Sequence, residues 1–257
     1  MSKTRTKLAL VTGGCRRLGA QISAQLASAG YVLALHGHND AEPEPELAAI
    51  FEQHATRWHG FVADFDIDGS VEELLGDVTD HFGKAPDLIV NNASLFEYDD
   101  QSSINQQTLE RHLRINLVVP ALLTTSLSAL QGDGTRAAIV NIVDQRVRNP
   151  NGDQLSYTLS KQALAESVRT LAKACAPKLR VNAVAPGLTL PTEDYTDNQM
   201  ERLAEAMPLN QLSSPEDIAE AVLFLAEAGS MTGQTVFVDG GAHLECFDRD
   251  FVFLGKG

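Results

Sequence analysis

Tyr157 and Lys161 stand four residues apart in the stretch DQRVRNPNGDQLSYTLSKQAL, residues 144–164. The run is compatible with a helix, so the two side chains share one face. An ammonium beside a phenol favours the phenolate and draws its pKa from ~10 toward the working range, which makes a tuned proton donor. The apolar run AAIVNIV ends at Asp144 just before them, adding a carboxyl group to the same neighbourhood.

A second chemical feature lies near the N-terminus. LALVT (8–12) reads as a buried strand, GGCRRLG (13–19) as a turn and AQISAQLASAG (20–30) as a helix with Gly30 as its stop. A turn of this kind aims free backbone N–H groups and the positive end of a helix dipole at a pyrophosphate, and its glycines allow close approach. A carboxylate at the end of the second strand, YVLALH, would favour NAD by holding the ribose hydroxyls; that position is Gly37, between His36 and His38. With Arg16 and Arg17 these histidines form a basic set for a 2′-phosphate, which favours NADP(H), and Asp40 is the nearby acid that argues the other way. Asp64, closing the third strand GFVAD, either accepts from an adenine amino group or caps the turn that follows.

These features need a frame. Strands alternate with helices along the chain: DLIVNN is strand four, AAIVNIV five, LRVNAVAPG six and QTVFVDGG the last, which predicts parallel strands with helices on both faces. Residues 108–130 read as one helix bent at Pro120. After Gly187, residues 188–212 break the rhythm as an insertion that covers the site. The tail, 242–257, is too apolar for a solvated end and is expected to dock on its own subunit or a neighbour. All 257 residues fit one domain. A net charge of −14 argues against nucleic-acid or anionic-membrane partners. Three cysteines without metal spacing (Cys15, Cys175 and Cys246) predict a reduced cytoplasm and no metal, and no apolar run is long enough for a membrane span.

In order and spacing, TGGCRRLG, NNAS (91–94), Asn116, YTLSK (157–161), VNAVAPG (181–187) and VDGG (238–241) resemble the short-chain dehydrogenase/reductase family from Lys7 to about Leu244. The resemblance implies a single Rossmann-type doubly wound sheet of about seven strands, hydride transfer with a nicotinamide, and a homotetramer. It implies that Lys161 holds the nicotinamide ribose and lowers the Tyr157 pKa, that Asn116 positions a relay water, and that Asn91 and Ala93 line the adenosine ribose. Pro186, Gly187 and Thr189 then contact the nicotinamide end, and Gly13, Leu18, Gly19 and Ser94 complete the cofactor cleft.

One residue departs from the family. Where most members have a serine, this chain has Asp144. An ionised carboxylate cannot donate to a carbonyl oxygen, whereas a carboxyl group suits a ring nitrogen. Asp144 with CRRLG and NNASLF resembles the pteridine and dihydromonapterin reductase branch, which reduces C=N bonds of pterins with NADPH. That branch implies that Arg17 reaches both cofactor phosphates and pterin, and that Phe96 stacks the pterin, with Ser94, Asp144 and Tyr157 completing the substrate site. Tyr157 is then the proton source and Asp144 a buried donor assisting it. The alternatives are an NADPH-dependent 3-oxoacyl or sugar reductase, in which Asp144 is incidental; a site that has lost activity, in which Asp144 forms a salt bridge with Arg146 or Arg148; and a non-catalytic NADP(H) sensor.

Overall fold

The computed structural model describes residues 6–132, 134–190 and 193–255. Pro191 and Thr192 of the expected insertion, and the last two residues of the tail, lie outside the described residues. The apolar runs become parallel strands β1 (Leu8–Thr12), β2 (Val32–Gly37), β3 (Trp58–Val62), β4 (Leu88–Asn91), β5 (Ala137–Ile142), β6 (Leu179–Pro186) and β7 (Thr235–Val238). They form one sheet in the order β3-β2-β1-β4-β5-β6-β7. Every residue of β1 and β5 is buried, because helices cover both faces and leave no side for water.

On one face pack α1 (Arg17–Ser28), α2 (Pro45–Gln53) and α8 (Pro215–Glu227), enclosing Ile22, Leu26, Leu47 and Val222. On the other lie α3 (Ser70–Phe82), α5 (Val119–Leu130) and α6 (Leu155–Cys175), enclosing Leu75, Leu123 and Leu164. Each fully buried leucine contributes roughly 1.5–3 kcal/mol. The strand order reverses between β1 and β4, and a cleft opens there beyond the carboxyl ends of the strands.

The expected single helix over 108–130 is three pieces. Helix α4 (Gln106–Leu113) runs into a π-turn (Arg114–Val118) and then α5. Pro120 has no N–H to offer the carbonyl of Asn116 four residues earlier, and the backbone adapts by widening: the Val119 N–H donates to the Arg114 carbonyl instead. Contrary to the sequence expectation, residues 106–130 are long and apolar enough to cross a membrane by length and composition. Val119, Leu123 and Leu127 nevertheless pack into the core under the sheet.

Helix α7 (Asp197–Ala206) lies within the 188–212 insertion, and the tail folds onto it. Phe251 and Ala242 join Leu203 and Met207 in a small third core, and the Gln199 amide donates to the carbonyls of Phe251, Val252 and Leu254. The tail therefore docks on its own subunit.

Candidate active site

A cleft of about 1070 Å³ runs from the phosphate turn to the tail. At its centre Tyr157 Oη donates to Asp144 Oδ2 at 3.0 Å. One turn along α6, Lys161 Nζ lies 5.7 Å from the phenol ring centre and donates to the Ile142 carbonyl at 2.8 Å. Both residues are positioned by the start of α6, which the loop after β4 fixes: the Asp99 carboxylate accepts from the Ser156 N–H at 3.0 Å and from the Ser156 hydroxyl. Phe96, on that same loop, is exposed and presents itself edge-on to Tyr157 with centroids 4.7 Å apart.

Asp144 is an acceptor throughout. It takes the Tyr157 hydroxyl, the Arg146 N–H at 2.9 Å and Arg146 Nε at 3.2 Å, so the expected donor role is corrected. The electrostatics of Tyr157 are corrected as well. Burial first, and then the Asp144 carboxylate, push its pKa well above the ordinary phenol value, with Arg146 opposing. Burial pulls the Lys161 ammonium down to about 8, Asp144 acting in the opposite direction. The phenol is therefore a held proton rather than a phenolate.

The phosphate turn is tight enough to require glycine. Gly13 has φ +61°, and a Cβ on Gly19 would come 1.8 Å from the Gly13 carbonyl oxygen. Arg17 fills the position where a third glycine is usual and still adopts φ +53°. The first turn of α1 has no side-chain cap and no acid, so its N–H groups and the exposed Arg16 and Arg17 fit an anionic pyrophosphate. Thr12 Oγ1 accepts from the N–H groups of Asn92 and Ala93, both at 2.9 Å, tying β4 to this turn.

Several expected ligands have other roles. His36 is buried: Nδ1 accepts from the Gly13 N–H at 3.1 Å and Nε2 donates to the Ala63 carbonyl at 2.9 Å, so neither nitrogen is left for a phosphate. Burial lowers its pKa to about 4, so the ring is neutral and supports the turn. Asn91 does not line the cleft. Its side chain is buried and donates to Asn141 Oδ1 at 2.7 Å, and Asn92 lines the cleft instead. Strand β3 ends two residues before Asp64, which accepts from the Asp66 N–H in the capping role and lies 3.5 Å from His38. Arg16 forms an exposed ion pair with Asp40 at 2.8 Å.

The Asn116 amide is fully engaged. Oδ1 accepts from the Leu95 N–H and the Ser94 hydroxyl, while Nδ2 donates to the Leu95 carbonyl and Ser160 Oγ. The amide therefore ties the loop after β4 to α6. Leu18, His38, Ala93, Ser94, Pro186, Gly187 and Thr189 all line the cleft, Thr189 donating to the Gly187 carbonyl at 3.0 Å.

Arg146, Gln154 and Asp250 were not anticipated as a unit. Arg146 is 6% exposed and joins Asp144 to Asp250 of the tail, with Gln154 Oε1 on a third edge. Arg146 was legible as a partner for Asp144; Asp250, 104 positions away, carried no local signal.

A family model described as enoyl-(acyl carrier protein) reductase matches residues 15–243. The chain is 30% identical to pteridine reductase 1 of Leishmania tarentolae over 92% of this chain and 96% of that protein. It is 32% identical to the 3-oxoacyl-(acyl-carrier-protein) reductase FabG of Pseudomonas aeruginosa, over 93% and 98%. Among solved structures it is similar to FolM alternative dihydrofolate reductase 1 of Brucella canis complexed with NADP. That likeness has a TM-score of 0.82 and 35% identity, over 95% of this chain and 96% of the other. With the family match running from the phosphate turn into the tail, the chain belongs to the short-chain dehydrogenase/reductase family of oxidoreductases.

Proposed function

We propose that the protein is an NADPH-dependent reductase of pterins, taking dihydropterins such as dihydrobiopterin or dihydromonapterin to their tetrahydro forms. The observation that carries this reading is the Tyr157 hydroxyl on Asp144 at 3.0 Å, with Arg146 on the same carboxylate. Asp144 accepts hydrogen bonds where a carbonyl substrate needs a donor, and N–H groups on a flat heterocycle suit it. The similarity to pteridine reductase 1 and to alternative dihydrofolate reductase 1 in complex with NADP points the same way.

In this reading the N-terminus of α1, Gly13, Arg16, Arg17 and Leu18 hold the cofactor phosphates. His38 and Arg16 receive the 2′-phosphate, and Lys161, Pro186, Gly187 and Thr189 hold the nicotinamide end. NADPH supplies the hydride when bound. Tyr157, kept protonated by burial and by Asp144, supplies the proton to the ring nitrogen beside the reduced carbon. Lys161 orients the phenol and stabilises the charge left on it. Asp144 accepts from a substrate N–H, Phe96 and Ser94 line the ring's place, and Arg17 reaches from the cofactor end. Fixing a planar ring against Phe96 supplies proximity and orientation.

The second reading is a carbonyl reductase, favoured by the similarity to FabG. The two are separated by following NADPH oxidation with dihydrobiopterin, dihydromonapterin and dihydrofolate beside 3-oxoacyl and sugar ketones. The expected result is turnover on the dihydropterins, with Asp144→Ala lowering kcat by about 100-fold, the scale of a lost preorganised hydrogen-bonding group at the reacting centre. Turnover on ketones alone would overturn the pterin reading. Tight NADPH binding with no turnover on any of them would point to a sensor.

A further inference from the structure

The tail forms a wall of the cleft through Asp250, Phe251, Val252 and Phe253. Asp250 does more than close that wall. Its Oδ2 accepts from Arg146 Nη2 at 2.6 Å, while Arg146 Nε faces Asp144 Oδ1 at 3.2 Å and Nη1 donates to Gln154 at 3.0 Å. A guanidinium is a rigid planar fork, so fixing two of its edges fixes the third. Here the edges held by Asp250 and Gln154 decide how Nε meets Asp144, and Asp144 in turn accepts the hydrogen bond of the Tyr157 hydroxyl.

Asp250 is itself held. Its N–H donates to Asp153 Oδ2 at 2.7 Å, Asp153 pairs with Arg249 at 2.8 Å, and Asp250 Oδ1 accepts from the Val252 N–H at 3.0 Å. The charged and titratable groups around Arg146 come from every side. They are Asp144 beside it, Tyr157 on α6, Asp153 before α6, Tyr195 in the insertion and Asp250 in the tail, with Lys161 facing Asp144, Asp194 facing Tyr195 and Arg249 facing Asp153 one step further out. Two carboxylates therefore share one guanidinium at the buried end of the cleft. Were Asp250 absent, Nη2 would be left buried without its partner, a costly state that the guanidinium relieves by turning.

We propose that Asp250 is a positioning residue for the reaction: by holding Arg146 it orients Asp144 toward the Tyr157 hydroxyl and leaves the carboxylate free to meet substrate. The proposal rests on Tyr157 and Asp144 as the reactive pair and is independent of which substrate is reduced.

The test is a double-mutant cycle in the full chain, using Asp250→Asn and Asp144→Asn singly and together, with Asp250→Glu as the conservative variant. Whichever substrate the wild type reduces, pterin or ketone, serves for kcat and KM, and NADPH affinity is measured by fluorescence titration. Asp250→Asn is expected to lower kcat about ten-fold, the coupling scale within one hydrogen-bond network. NADPH affinity should stay within about two-fold, Asp250→Glu should recover part of the rate, and Asp250→Asn should cost nothing more once Asp144 is Asn. The protected Nε–H resonance of Arg146, assigned by its loss in Arg146→Lys, should shift in Asp250→Asn. Equal costs in both Asp144 backgrounds, or an unmoved Arg146 resonance, would overturn the proposal. Reduction of ketones alone would remove the pterin reading while leaving this cycle interpretable. If no substrate is turned over, or Asp144→Asn is too slow to measure, the Arg146 resonance decides.

Discussion

Arg17 holds φ +53° in a turn that also holds Gly13, Gly14 and Gly19, a conformation that costs an L-residue about 1–2 kcal/mol. Strain of this kind persists at functional sites, and here the side chain is exposed in the cleft where an anion fits. Arg17→Gly is therefore expected to raise stability by about 1 kcal/mol, seen as a higher denaturant midpoint, and to weaken NADPH binding about ten-fold or more, seen by titration. Tyr157, Lys161 and the turn were legible in the sequence because each signal is local: a four-residue spacing, or a strand-turn-helix pattern. His36 was misread for the opposite reason. Its partners, Gly13 and Ala63, are 23 and 27 positions away, and only the fold shows that both ring nitrogens are used.

At the scale of the element, the π-turn before α5 decides how the loop after β4 is held. The sequence predicted a bend at Pro120, and Pro120 does act, but by changing the hydrogen-bond pattern before it rather than by a simple kink. The wider turn leaves Asn116 1% exposed, with its amide locking Ser94 and Leu95 to Ser160 of α6. Asn116→Ala removes four hydrogen bonds at once and is expected to cost about 3 kcal/mol. It should lower the denaturant midpoint and speed amide exchange over 94–98; unchanged exchange there would remove the loop-anchor role. Helix and strand identities were legible because burial on both faces of a parallel sheet demands continuous apolar runs. The π-turn was not, since an α and a π turn place apolar residues almost alike.

For the whole molecule, the tail's apolar content signalled docking, but not where. Its place is set by Phe251 in the third core and by the ion pairs of Arg249 and Asp250, all across long sequence separations. Apolar residues stay exposed elsewhere: Val118, Leu122 and Leu159 around α5 and α6, and Phe224 on α8. A form ending at Gly241 should keep the oligomeric state of the full chain in gel filtration and lose about 100-fold or more in turnover, because the cleft loses a wall and Arg146 loses Asp250. Loss of mass with unchanged turnover would assign the tail to assembly instead.

The Arg16–Asp40 pair has an evolutionary consequence. Discrimination between the two nicotinamide dinucleotides turns on whether a cation or a carboxylate meets the adenosine ribose. This chain already carries both, Arg16 in the phosphate turn paired with Asp40 in the loop after β2. The mutational distance between the two cofactor preferences is therefore short here, and a lineage could cross it by altering one exposed side chain without disturbing the buried sheet beneath.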